Sequence, residues 1–240
     1  MSRLLVAVAL TGGAWAQGSL TAPELGRTID ARGMLRAVRG VAGAFTLGES
    51  IGLPVVASAC GERLCVAKTA SQLVVGDVAV DAPEGAALIG IQGANAALYF
   101  PSTHEFFEWR EGSLRPLDVS VEGEVLALGF AADGSLHLAV RQHEGVLLAG
   151  ADGGVLDSLP SNAGAVLLVE GAVLFATGGQ TVLRRGDASE VRFDLAGVES
   201  LFALGPGWVG ALAQGATYAL RIATGQMFQL PEAVALESGQ

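Results

Sequence analysis

Charge is scarce in this chain, and positive charge is scarcer still. Of 240 residues only 16% are charged, with 14 Lys and Arg against 24 Asp and Glu, for a net charge of −10. A nucleic-acid partner needs clustered Lys and Arg to neutralise phosphates, and that supply is absent. Adsorption to anionic lipid is disfavoured on the same ground. Cysteine is down to two residues and histidine to three, so a metal cluster would have few ligands to draw on. Aromatics make up 6%. No Gly-x-Ser-x-Gly elbow, His-Glu-x-x-His or Walker-type loop occurs. Beyond residue 16, Gly or charge interrupts every apolar run, so no later segment reads as a membrane anchor.

Apolar residues and glycine are abundant. Hydrophobic residues reach 51% and Gly contributes 34 of the 240. High hydrophobicity with low charge excludes a disordered chain. Frequent Gly argues against helix, because each one costs about 1 kcal/mol inside a helix.

Residues 1–16, MSRLLVAVALTGGAWA, have the layout of a secretory signal peptide. Arg3 supplies the positive end and Leu4 to Leu10 the apolar run. Ala14-Trp15-Ala16 is a small-x-small cleavage pattern before Gln17. The apolar run is too short to cross about 30 Å of hydrocarbon as a helix. The expectation is export to the periplasm or the extracellular space, with residues 17–240 forming one domain. Cys60 and Cys65 bracket Gly61-Glu62-Arg63-Leu64, and a turn there would bring them face to face. An oxidising compartment lets such a pair join as a structural disulfide. The C-x4-C spacing does not suit a redox motif.

From about residue 54, short apolar runs alternate with Gly, Asp, Ser and Asn, the pattern of many short antiparallel strands. Pairs of apolar strands recur with starts near residues 55, 87, 126, 166 and 201. Each pair is followed by two less apolar strands, such as Thr181 to Arg184 and Val191 to Asp194. Four strands per repeat, innermost first, describes a propeller blade. The expected fold is an all-β propeller of four-stranded antiparallel blades, with five clear repeats. A sixth blade shared by the termini would remove the open edges. It would use the hairpin Arg27–Asp30 with Met34–Val38, read as outer strands, and an inner strand beginning in Leu230–Glu237.

The stretch Phe130-Ala131-Ala132-Asp133-Gly134-Ser135-Leu136-His137-Leu138-Ala139-Val140 resembles the inner hairpin of bacterial NHL- and YVTN-type β-propellers. The resemblance spans roughly residues 54–230 and implies fold only. The repeated Trp-Asp dipeptide of the WD40 pattern is missing, as are the repeated Trp anchors of quinoprotein propellers.

Propellers meet ligands on the face formed by loops into strand one and between strands two and three. An acidic residue recurs just before the inner strand, at Glu84, Glu122, Glu124 and Glu199, while the fourth repeat has Pro160-Ser161-Asn162-Ala163 instead. Loops after strand two carry His143, Gln180 and Gln214. These seven form the candidate ligand- or partner-binding set, an acidic mouth for a cationic partner with amides for hydrogen bonding. His104 and His143, with Glu105 and Glu144, occupy equivalent loops in adjacent repeats and could hold a metal, although the favoured expectation is neither metal nor cofactor. Glu105-Phe106-Phe107-Glu108-Trp109-Arg110 is either an exposed recruiting edge or blade-to-blade packing.

No catalytic residues are assigned. The favoured reading is an exported, non-catalytic binding or scaffold module, possible as a subunit of an envelope or extracellular assembly. Its partner would be another protein or a glycan, with no nucleic acid and no transmembrane anchor. The rival is a propeller enzyme of glycosidase or lyase type, with carboxylates at the central channel.

Overall fold

The computed structural model describes residues 22–143 and 145–231. The expected signal peptide, and the part of the expected closing strand beyond Pro231, lie outside the described residues. All regular structure among the described residues is β.

The chain opens with β1 (Glu24–Ile29), β2 (Met34–Val41) and β3 (Ala44–Pro54), one antiparallel sheet in that order. Five four-stranded sheets follow. The first blade holds β4 (Ala57–Cys60), β5 (Cys65–Lys68), β6 (Gln72–Val75) and β7 (Val78–Asp81). The second holds β8 (Leu88–Gln92), β9 (Asn95–Phe100), β10 (Glu105–Arg110) and β11 (Ser113–Pro116). The third holds β12 (Glu124–Phe130), β13 (Leu136–Gln142), β14 (Gly145–Gly150) and β15 (Val155–Leu159). The fourth holds β16 (Val166–Val169), β17 (Ala172–Ala176), β18 (Thr181–Arg184) and β19 (Glu190–Phe193). The fifth holds β20 (Val198–Gly205), β21 (Trp208–Ala213), β22 (Ala216–Arg221) and β23 (Gln226–Gln229). The first strands touch in the order β4, β8, β12, β16, β20, and β1 touches both β20 and β4. The molecule is a six-bladed β-propeller, its sixth blade contributing β1–β3 among the described residues.

Each seam between blades carries its own apolar cluster. Val66 and Leu73 of the first blade meet Leu98, Phe100 and Trp109 of the second. Leu174 and Leu183 of the fourth blade meet Val209 and Leu220 of the fifth. Val38 of the sixth meets Leu204 and Trp208 of the fifth, and Leu35 meets Ala67 of the first. The second strands are the most buried, because they are sandwiched in the sheet and covered by blades on both faces. The outer strands are the more exposed, as in β7 and β15, where Val78, Val155 and Leu156 face outward.

Two features differ from the sequence reading. β3 was not anticipated: Gly48, Gly52 and Pro54 break any alternation there, and its pairing to β2 shifts register twice. The hairpin read as a pair of outer strands places β1 against the axis instead, with Gly26 on the backbone of Leu204 and Gly205. Gly26 permits this: any Cβ there would overlap the Leu204 carbonyl.

Glycine sets how closely the first strands approach. A Cβ at Gly90 would lie 2.7 Å from the Leu128 carbonyl oxygen, and one at Gly129 would lie 2.6 Å from that of Leu168. Gly129 falls late in β12, Gly205 ends β20 and Gly90 lies midway along β8, so these close contacts run from the middle of the axis to one end, the lower face. Cys60 and Cys65 are cross-strand partners closing the β4–β5 hairpin at that end, and they form a disulfide.

Gly129→Ala should lose about 2 kcal/mol or more in denaturant unfolding, because backbone rather than a flexible side chain blocks the added methyl. Gly178→Ala, with open space around it, should stay within about 0.5 kcal/mol. Cys60→Ser with Cys65→Ser should lower stability by roughly 2 kcal/mol, the loop-closure entropy of so short a ring. The intact mass of the unaltered chain should rise by two hydrogen atoms on reduction, since reductant supplies two electrons and solvent two protons.

Candidate functional site

Alternation of strand direction sorts the connections between two faces. In the five four-stranded blades, links from strand one to two and from three to four emerge on the lower face. Links from two to three, and from four to the next blade, emerge on the upper face. Lower turns run from two residues, as in Gly76-Asp77 and Pro206-Gly207, to five, as in 131–135 and 185–189. The longest links are upper-face connections between blades, such as 82–87, 117–123 and 160–165.

All seven candidate residues sit at upper-face connections. Glu84 lies between β7 and β8, Glu122 between β11 and β12, and Glu124 opens β12. Glu199 is near the start of β20, while His143, Gln180 and Gln214 follow the second strands of the third, fourth and fifth blades. All but Gln180 are exposed. Several are tethered locally. Ser102 Oγ donates to the Glu84 carbonyl at 2.7 Å, and Gln142 Nε2 donates to that of Glu122 at 3.0 Å. Glu124 pairs with Arg141 at 3.3 Å, which partly neutralises it. Gln214 adopts φ 52° and lays its side chain over Gly197. Gln180 borders a shallow pocket with Arg192 and Asp194.

His104 is held by Tyr99, whose hydroxyl lies 3.0 Å from Nδ1. Burial, and then the charge of Glu124, pushes the Tyr99 hydroxyl above its usual range. Glu144 lies outside the described residues, and no group of three or more metal-ligating side chains gathers among the described ones. The aromatic stretch is the third strand of its blade. Phe106 and Trp109 are buried in the seams, so packing rather than recruitment accounts for both.

Two residues at this face carried no local signal in the sequence. Lys68 is the only lysine in the chain, and it is fully buried. Its Nζ donates to the carbonyls of Thr69 and Ala70 at 2.8 and 3.0 Å and lies 5.9 Å from the centroid of the Phe100 ring. Burial lowers its pKa, against an opposing pull from Glu84. The residue ties the β5–β6 loop down toward the second blade.

The other is Asp30, whose carboxylate is 1% exposed. Oδ1 accepts from the backbone N–H groups of Arg32 and Met34, both at 2.9 Å, and Oδ2 accepts from Arg36 Nε at 2.6 Å. Burial alone would raise its pKa, but Arg36 and the two backbone donors outweigh burial and hold it below the usual value.

The axis is a cavity of about 680 Å³. Its walls come from Ala57–Ala59, Ala87–Ile89, Leu126–Leu128, Val166–Leu167 and Ser200–Ala203, with Thr28–Ala31 closing the ring and Leu230 and Pro231 beside them. Asp30 is the one carboxylate bordering it among the described residues, and both of its oxygens are engaged.

No known family model matches this sequence, and no curated protein matches it. Solved structures do. A chain of the nidogen–laminin complex superposes with a TM-score of 0.58 at 9% identity, covering 88% of this chain and 93% of that one. A Bacteroides caccae protein of unknown function reaches 0.53 at 14% identity, over 88% and 92% of the two chains. Virginiamycin B lyase from Staphylococcus aureus reaches 0.49 at 11% identity, over 88% and 85%. Identities this low establish the propeller fold and nothing finer.

The Asp30 arrangement predicts the acid limb of stability. With its pKa held below the ordinary 3.8, the ionised group stabilises the fold above that pH, and the contribution disappears as pH falls through the depressed value. Asp30→Asn should cost about 2 kcal/mol at neutral pH and flatten the loss of stability on acidification, read by denaturant unfolding between pH 7 and pH 2.

Proposed function

We propose that this chain is a non-catalytic binding or scaffold module that engages a Lys- or Arg-rich protein surface through its upper face. One observation carries the reading: Glu84, Glu122, Glu124 and Glu199, drawn from three separate inter-blade connections, emerge on the same face as His143, Gln180 and Gln214. Acidic groups spread around one rim sum to a field that attracts a cationic surface at long range. The amides and the imidazole add directional hydrogen bonds. The lower turns carry carboxylates of their own, at Glu62, Asp77, Glu111, Asp133, Asp152 and Asp187, but no amide or imidazole side chain stands beside them in those turns. Location beyond the cytoplasm belongs to the same proposal, supported by the signal-like residues 1–16 and by a disulfide that suits an oxidising compartment.

A decalysine peptide is a defined probe of the rim. Its affinity should fall between about 0.01 M and 0.15 M salt, as the screening length shrinks from about 30 Å to about 8 Å. Glu84→Gln, Glu122→Gln and Glu199→Gln together should weaken binding several-fold at the lower salt and flatten the salt response. A charge-matched lower-face variant, Glu62→Gln with Asp77→Asn and Glu111→Gln, should change it far less. Equal effects from the two triple variants would mean that net charge alone is felt, and the proposal would fall.

A further inference from the structure

The upper-face connections of the five four-stranded blades are of two kinds. In the second, third and fifth blades a carboxylate stands at the entry to the first strand: Glu84, then Glu122 with Glu124, then Glu199. In the first and fourth blades the entries are Val55-Val56 and Pro160-Ser161-Asn162-Ala163, which carry none.

The residue at the end of the second strand divides the blades in the same way. Ser102, two residues past β9, donates Oγ to the Glu84 carbonyl at 2.7 Å. Gln142, the last residue of β13, donates Nε2 to the Glu122 carbonyl at 3.0 Å. Gln214, just past β21, lays its side chain over Gly197, two residues before Glu199. In the two blades without the carboxylate this place belongs to Thr69 and Thr177. Each of these hydroxyls donates within its own loop, to the carbonyls of Gln72 at 3.3 Å and Gln180 at 3.1 Å. A carboxylate at the entry and a side chain laid across the entry therefore occur together or not at all.

The two hydrogen bonds leave the carboxylates themselves free. They fix the backbone from which those side chains project. Glu84 is held from a second side, because the Gly85 N–H donates to the Ala70 carbonyl at 3.0 Å, and that carbonyl also accepts from Lys68 Nζ. A link already fixed loses less freedom when a partner orders it, so its carboxylate pairs more tightly at contact. Attraction at long range depends on charge and is the same with or without the bond.

We propose that Ser102 and Gln142 are positioning residues of the rim, holding the entries to the second and third blades so that Glu84 and Glu122 meet a cationic surface in a fixed arrangement. The proposal rests on the reading of the rim as the face for a Lys- or Arg-rich partner.

The test uses the full chain and decalysine at about 0.01 M and 0.15 M salt. Ser102→Ala with Gln142→Ala leaves the net charge unchanged. It should weaken decalysine about three- to tenfold at both salts and keep the parent's salt response. Ser102→Thr, which retains the donor, should stay within about twofold of the parent. Thr69→Ala with Thr177→Ala breaks the matching bonds in the two blades without the carboxylate and should leave the affinity as it is. In a chain already carrying Glu84→Gln and Glu122→Gln, the Ser102→Ala and Gln142→Ala changes should lose their effect. An Ala pair that binds as the parent does overturns the proposal. So does an equal loss from the Thr pair, an altered salt response, or a loss that persists in the Gln background, since loosened loops rather than placed carboxylates would then be at work. Failure of the rim reading shows itself differently, as equal effects from the upper-face and lower-face carboxylate variants.

Discussion

Backbone meets backbone where the first strands crowd together at the lower end of the axis. Gly90 against Leu128, Gly129 against Leu168, and Gly26 against Gly205 leave no room for a Cβ. Most other features follow from that approach. Strands this close at one end splay toward the other, which leaves a cavity at the axis and longer connections on the upper face. The blades then meet along apolar seams, whose side chains come mainly from the second and third strands. Glycine therefore does more here than turn corners: it sets the radius of the ring.

Ring closure shows the same constraint under strain. The five four-stranded blades follow one pattern, and the sixth departs from it. There β1 runs opposite to the other first strands, starting beside the end of β20 and ending near the start of β4. The three-stranded sheet is anchored to its neighbours through Val38, Phe45 and Leu47 on one side and Leu35 on the other. Asp30, at the turn that follows β1, fixes the local backbone with three accepted hydrogen bonds. The orphaned Thr28 hydroxyl sits on the same strand, two residues from a carboxylate whose bonding is complete.

Much of this architecture can be read along the sequence, because blade strands are local and their turns are chemically marked. Repeat starts near 55, 87, 126, 166 and 201 fall within three residues of the first strands at 57, 88, 124, 166 and 198. The phase of each hairpin also fixes which end a loop leaves from, so the seven rim residues could be assigned to one face from spacing alone. The sixth blade resisted because β3 lacks both alternation and clean register. The cavity resisted for a different reason. Its wall is assembled from residues more than 150 positions apart, such as Thr28 and Phe202, and no local pattern marks an apolar residue as facing an axis rather than a seam. Lys68 resembles any surface lysine in sequence, and only the packing of Phe100 and two carbonyls shows where it goes.

That buried lysine changes the surface chemistry of the whole molecule. With its one ammonium side chain enclosed between blades, the folded body presents basic charge only as guanidinium. Arginine stays charged at any ordinary pH and resists acylation, so the described exterior offers amine-directed reagents no side-chain handle. Coupling, cross-linking or enzymatic acylation through lysine would have to wait for the first blade to open. Acylation read at Lys68 itself, by peptide mapping, thus becomes a clock for that opening.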